Sequence, residues 1–333
     1  MRDGENLFEH LSLGRVFSRS TNVFIDRFDV FMTLSAVVLV PAAIFGALIG
    51  LGLGIEEMKH PDDEEAQSKE IAEFIQQHSV GLLFAFVVHS LIRLFTTLVG
   101  EGGMVRACAD IYAGEPQPWL AAAKAGAAKF CTLLLASMIV LGVSCGGAFV
   151  VYAIIIMAAA FNSGLLGFLA VISAIVYLVL LCLWISQTRF IFPVIMIENK
   201  GAVNSVRRSF EISKGRQCYI FCACFILWVA KVLVAQLLHN IFSGDSLMAA
   251  FLSPGGIIIS FIPDLIFLPV NSILKTVLYA SVRVDKEGLT EAVLKRELVE
   301  PVIYSPPNTD YRQVSLMDES NDAHAAGLTS DFA

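Results

Sequence analysis

The sequence predicts an all-α polytopic membrane protein with six transmembrane helices and amphipathic cytoplasmic helices. Three observations predict it. Only 16% of the 333 residues are charged and 56% are apolar, with a mean hydropathy of +0.71, whereas a soluble domain carries about 25% charged residues. The charges are clustered, which leaves apolar runs of 20 or more residues, long enough to cross roughly 30 Å of hydrocarbon as helices. Lys and Arg also concentrate on alternate loops, the asymmetry that sets orientation in a bilayer. Helix is the expected form because backbone groups in lipid must be satisfied within their own segment.

The chain divides into a cytoplasmic N-terminal segment (1–29), a six-helix transmembrane domain (30–300) and a disordered cytoplasmic tail (301–333). The spans are expected at 31–54, 79–100, 130–161, 165–187, 217–240 and 257–281. The first reads as a signal anchor, because about 30 polar-rich residues precede it and no short apolar segment ends in a small-residue cleavage site. The third contains "GVSCGGAF", which invites a tilt or kink. "NSG" at 162–164 predicts a tight turn into the fourth span. The segment 243–256 is Gly/Ser/Pro-rich and apolar, and a dip back into the outer leaflet is open to it. The tail is polar, Pro-containing and without apolar periodicity, hence disordered.

Orientation follows from counting. The N-terminal segment, the second and fourth loops and the tail hold 18 Lys and Arg, against Lys59 and Lys69 on the other loops. Both termini are therefore expected in the cytoplasm. The first exterior loop is acidic, with helix expected in its second half.

The densest basic island is "SVRRSFEISKGR" at 205–216. Val203, Val206 and Phe210 share one helical face, Arg207, Glu211 and Lys214 another, and Gly215 is a natural helix stop. This predicts a short amphipathic helix at the inner interface. Arg207, Arg208, Lys214 and Arg216 would meet anionic headgroups there, at roughly 1 kcal/mol each. A second reading is an orientation signal packed on the bundle without lipid recognition.

The run "IENKGAVNSVRRSFEISKGR" resembles the signature of the membrane domain found attached to some bacterial glycerophosphodiester phosphodiesterases. The matching places are Glu198, Ser205, Arg207 with Arg208, Ser209, Phe210, and Lys214 with Gly215; Ser205 stands where that family usually has Ala. "LYASVRVDKEG" is similar to the family's closing pattern at Tyr279, Arg283, Lys286, Glu287 and Gly288. Pro41 and the "ADIYAGEPQPW" segment fit as well. The resemblance implies a lipid-related setting and supplies no catalytic residues, since the phosphodiesterase activity belongs to a separate barrel domain that is not expected within these 333 residues.

No phosphate loop, HExxH, GxSxG or zinc-like cysteine spacing occurs. Cys218 and Cys222 share a helical face and Cys224 does not, which suits core packing rather than a metal. No enzyme activity, cofactor, metal or nucleic-acid partner is expected. Membrane lipids are the expected partners, and protein partners are open.

Ionisable residues inside spans are the remaining candidates, because charge is costly in hydrocarbon. Lys231 and Asp264 fall at matching depth, so an ion pair between spans five and six is expected. Arg93 and Lys275, with His89, Asn271 and Ser272, are expected to line a cationic inner vestibule for an anionic headgroup or solute. Snorkelling to the headgroups is the other reading. The functional expectation is a non-enzymatic, lipid-associated or membrane-organising protein; the alternative is a transporter or channel for a small anionic or lipidic solute.

Overall fold

The computed structural model describes residues 11–52, 64–161, 164–242 and 254–299. Its helices are α1 (Leu13–Asp26), α2 (Phe28–Gly52), α3 (Glu64–Tyr112), α4 (Trp119–Ala128), α5 (Phe130–Phe161) and α6 (Gly164–Thr188). They continue with α7 (Ile191–Ile197), α8 (Ala202–Ser213), α9 (Gln217–Phe242), α10 (Pro254–Glu287) and α11 (Glu291–Val299). No strand occurs among the described residues. Among the described residues six helices are long and apolar enough to cross a membrane, each overlapping an expected span. The tail and most of 243–256 lie outside the described residues.

α10 is the axis of the bundle. It packs against α1, α2, α3 and α9, and 67% of its most apolar stretch is buried, against none of that of α5. Ile273, Leu274, Val277, Leu278 and Tyr279 are fully enclosed. α10 carries Pro263 and Pro269. Pro269 has no N–H for the carbonyl four residues back, and the Ser35 hydroxyl of α2 donates to that Leu265 carbonyl at 2.8 Å. A neighbouring helix thus restores the bond that the proline removes.

Span two does not end at Gly100 as expected: α3 is one 49-residue helix, taking in the second half of the acidic loop at one end and reaching Tyr112 at the other. The run Gly100–Glu101–Gly102–Gly103 looks like a stop, but it is a close-packing surface. A Cβ on Gly100 would sit 1.8 Å from Val38 Cγ2, and one on Gly103 3.0 Å from the Ala122 carbonyl oxygen. Across the same seam, a Cβ on Gly126 would lie 2.2 Å from the Val99 carbonyl oxygen. Small residues let helices approach in this way.

The third span is continuous helix through "GVSCGGAF". α6 breaks after Thr188, and α7 restarts with Pro193 in its first turn, where proline is tolerated. α7 ends at Glu198, followed by Asn199 at φ +54°. α4, α7, α8 and α11 gather at one end of the bundle, here called the base. α1, within the expected polar N-terminal segment, also packs there: Val16 and Val23 are buried, the Leu11 N–H donates to Ser281 Oγ at 3.0 Å, and Tyr219 donates to the Leu11 carbonyl.

Candidate functional site

Two charged assemblies lie on the bundle, one at the base and one inside the apolar belt.

The base assembly forms where α7, α8, α10 and α11 meet. Helix ends position it. Gly215 (φ +81°) stops α8 and Gly288 (φ +65°) stops α10, the left-handed conformation that glycine takes without a Cβ penalty. Glu198, at the end of α7 and only 4% exposed, accepts from Tyr279 OH at 2.5 Å and from Arg208 Nε at 3.1 Å. Lys200 Nζ lies 2.7 Å from the same carboxylate. Arg283, 1% exposed, forks onto Glu297 of α11 at 2.7 and 2.8 Å and onto Glu287 at 2.8 Å. Arg208 reaches Glu287 at 2.5 Å. Arg283 also donates to Tyr279 OH and lies 5.4 Å from that ring's centroid.

Three carboxylates (Glu198, Glu287, Glu297) therefore face three cations (Lys200, Arg208, Arg283). The charges cancel, so the cluster has no surplus with which to attract a ligand. Burial would raise the Glu198 carboxyl, but the charges of Arg283, Arg208 and Lys200 outweigh it and hold the group at about 2. Burial would lower Arg208, and Glu198 and Glu287 override it, keeping the guanidinium charged.

Residues from both sequence motifs thus converge: Glu198 and Arg208 from the first, Tyr279, Arg283 and Glu287 from the second. Ser209, fully buried, donates to the Gln187 carbonyl of α6. Ser205, Ser213, Ala202 and Ile212 complete that buried face, so α8 docks through three serines and two apolar side chains. The expected apolar face divides: Val203 is 66% exposed, whereas half-buried Val206 packs on the core and the Phe210 ring meets Trp184 of α6 edge-on at 5.3 Å. The four basic candidates separate. Arg207 is 82% exposed and makes only an exposed 3.4 Å contact with Glu211. Lys214 is exposed, its carbonyl accepting from Lys286 Nζ. Arg216 pairs with Asp285 of α10. Arg208 is turned inward at 14% exposed, which corrects its expected place among headgroup-facing cations: two carboxylates hold it inside.

Within the belt, Lys231 Nζ lies 2.5 Å from Asp264 Oδ1. Arg93 is there too, with Nη2 3.2 Å from Asp264 Oδ2. Lys275 instead pairs with buried Glu101 of α3 and sits 5.7 Å from the Phe192 ring centroid. The expected vestibule is thus not assembled. Asp264 and Lys275 are eleven residues apart on α10, about 16 Å, and Arg93 sides with the former. His89 stacks on Phe45 at 6.4 Å. Asn271 is half-buried, and Ser272 bonds within its own helix.

Sequence reasoning missed Glu101 and Glu297. Glu101 fell one residue beyond the assumed end of span two, though a carboxylate between glycines at the margin of an apolar run was the available signal. Glu297 carried no comparable mark. Among the described residues, no group of three or more His, Cys, Asp or Glu could hold a metal ion. No protein-family model, curated protein or solved structure matches the chain significantly.

Proposed function

We propose that this chain is a non-enzymatic integral membrane protein that engages anionic lipid through the outward face of α8, its base lying in the cytoplasm as the cation asymmetry predicts. The observation that carries this reading is the split of the adjacent arginines. Arg208 is neutralised inside the base, while Arg207 stands 82% exposed, one turn from exposed Val203. An apolar side chain beside a cation on one outward face suits the headgroup boundary. The Arg207–Glu211 contact competes weakly, since exposed pairs of this spacing contribute about 0.3–0.5 kcal/mol. Exposed Lys214 adds positive charge at the end of the helix. The motif resemblance supports a lipid-related setting.

The test is retention of phosphatidylglycerol by the purified protein, read by native mass spectrometry. Arg207→Gln/Lys214→Gln should lower it roughly five-fold per cation with thermal stability unchanged. Arg208→Gln should instead cost stability. Undiminished retention in the folded Arg207/Lys214 variant would remove this reading.

A further inference from the structure

We propose a second site, for a phosphate-class anion, at Arg93, Lys231 and Asp264 in the apolar belt, away from the base. α3, α9 and α10 contribute one charged side chain each, and two cations share one carboxylate. The triad carries one net positive charge. The Lys275–Glu101 pair, about 16 Å nearer the base, is neutral by comparison.

The geometry directs that surplus outward. Asp264 is the most enclosed of the three, its side chain 22% exposed, while Arg93 and Lys231 are 58% and 44% exposed. A guanidinium has five N–H donors and an ammonium three. Among the described residues Asp264 is the carboxylate with which both cations pair. Unmet donors and a net charge are both costly in hydrocarbon. A phosphate oxygen offsets both, accepting charge-assisted hydrogen bonds from the two cations at once. The surroundings suit a lipid phosphate: Trp228, one turn from Lys231 on α9, presents exposed apolar surface on the same helical face, against which an acyl chain can lie. Free phosphate has the same headgroup chemistry, and the experiment separates the two sources.

Trp228 is one helical turn from Lys231 and serves as the reporter. With Trp119→Phe and Trp184→Phe it is the single tryptophan of the three in the chain. Arg207→Gln/Lys214→Gln is added to silence α8, so that failure of the α8 reading leaves this result legible. In nanodiscs of phosphatidylcholine, a minor fraction of acyl-brominated phosphatidylglycerol should quench Trp228 beyond its bulk share; brominated phosphatidylcholine should not. Arg93→Gln/Lys231→Gln should cut that excess roughly five-fold per cation. Asp264→Asn removes the competing carboxylate and should increase it. If free phosphate is the occupant, inorganic phosphate will raise the melting temperature in phosphatidylcholine nanodiscs, and the double variant will lose that rise. Should the double variant fail to fold, the native triad and Asp264→Asn decide. Absence of both excess quenching and a phosphate-dependent shift in the native triad overturns the proposal. So does either signal persisting in the folded double variant, or a fall in quenching in folded Asp264→Asn.

Discussion

Along the α5–α6 hairpin, Leu141, Phe149, Phe168 and Leu178 are each more than half exposed, whereas at the base Tyr279, Arg283 and Glu198 are sealed by four helices. The hairpin is held by few specific contacts. Tyr177 OH donates to the Ser144 carbonyl at 2.8 Å, and the same ring fills the space over Gly147. Lipid is as good a neighbour as leucine for the rest of its surface. At the base, geometry matters far more, because each buried charge needs its own partner. Span identity therefore resides in bulk hydrophobicity, and the arrangement of the spans in a small number of polar and small-residue contacts.

The largest expected effect breaks the base. Arg283→Leu strands Glu297 and deprives Glu287 and Glu198 of a cation, which should cost about 3–5 kcal/mol, measured by thermal unfolding in detergent. Leu178→Ala on the hairpin should stay within about 0.5 kcal/mol. Equal effects would dissolve the contrast. Next is a matched glycine pair. Gly126→Ala drives a Cβ into the Val99 carbonyl and should cost about 1–3 kcal/mol. Gly142→Ala meets nothing within 4 Å and should be neutral or stabilise by up to about 1 kcal/mol.

A pH profile sharpens the electrostatic side. Glu198 is held at about 2, below its ordinary 4.5. A depressed carboxyl contributes stability that is present above the unfolded value and lost as pH falls through the folded one. Acid should therefore weaken the base between about pH 4.5 and 2. Glu198→Gln should flatten that part of the profile while lowering stability at neutral pH.

The six spans were legible in the sequence because lipid selects each run locally, by length and composition. The Lys231–Asp264 pairing was also legible, since depth along two adjacent spans can be counted. The third member was not. Arg93 meets Asp264 across 171 residues of chain, and its depth depended on where α3 ends. Hydropathy drops at Gly100–Gly103, but the helix goes on because Val38, Ala122 and Gly126 press against it. Hydropathy cannot register that contact. The same misplaced end hid Glu101 and so assigned Lys275 to a vestibule. The two quoted motifs contained most of the base cluster, but no linear pattern says that residues 81 positions apart, Glu198 and Tyr279, share a proton-donating contact.

The Leu11–Ser281 hydrogen bond joins positions 270 residues apart. A ribosome adding about 5–20 residues per second needs roughly 15 to 50 s to travel that distance. Throughout this interval α1 has been made but the helix it packs against has not. Val16 and Val23 must wait at the membrane surface or on a chaperone until the sixth span arrives. The sixth span is thus the element that completes the packing of α1.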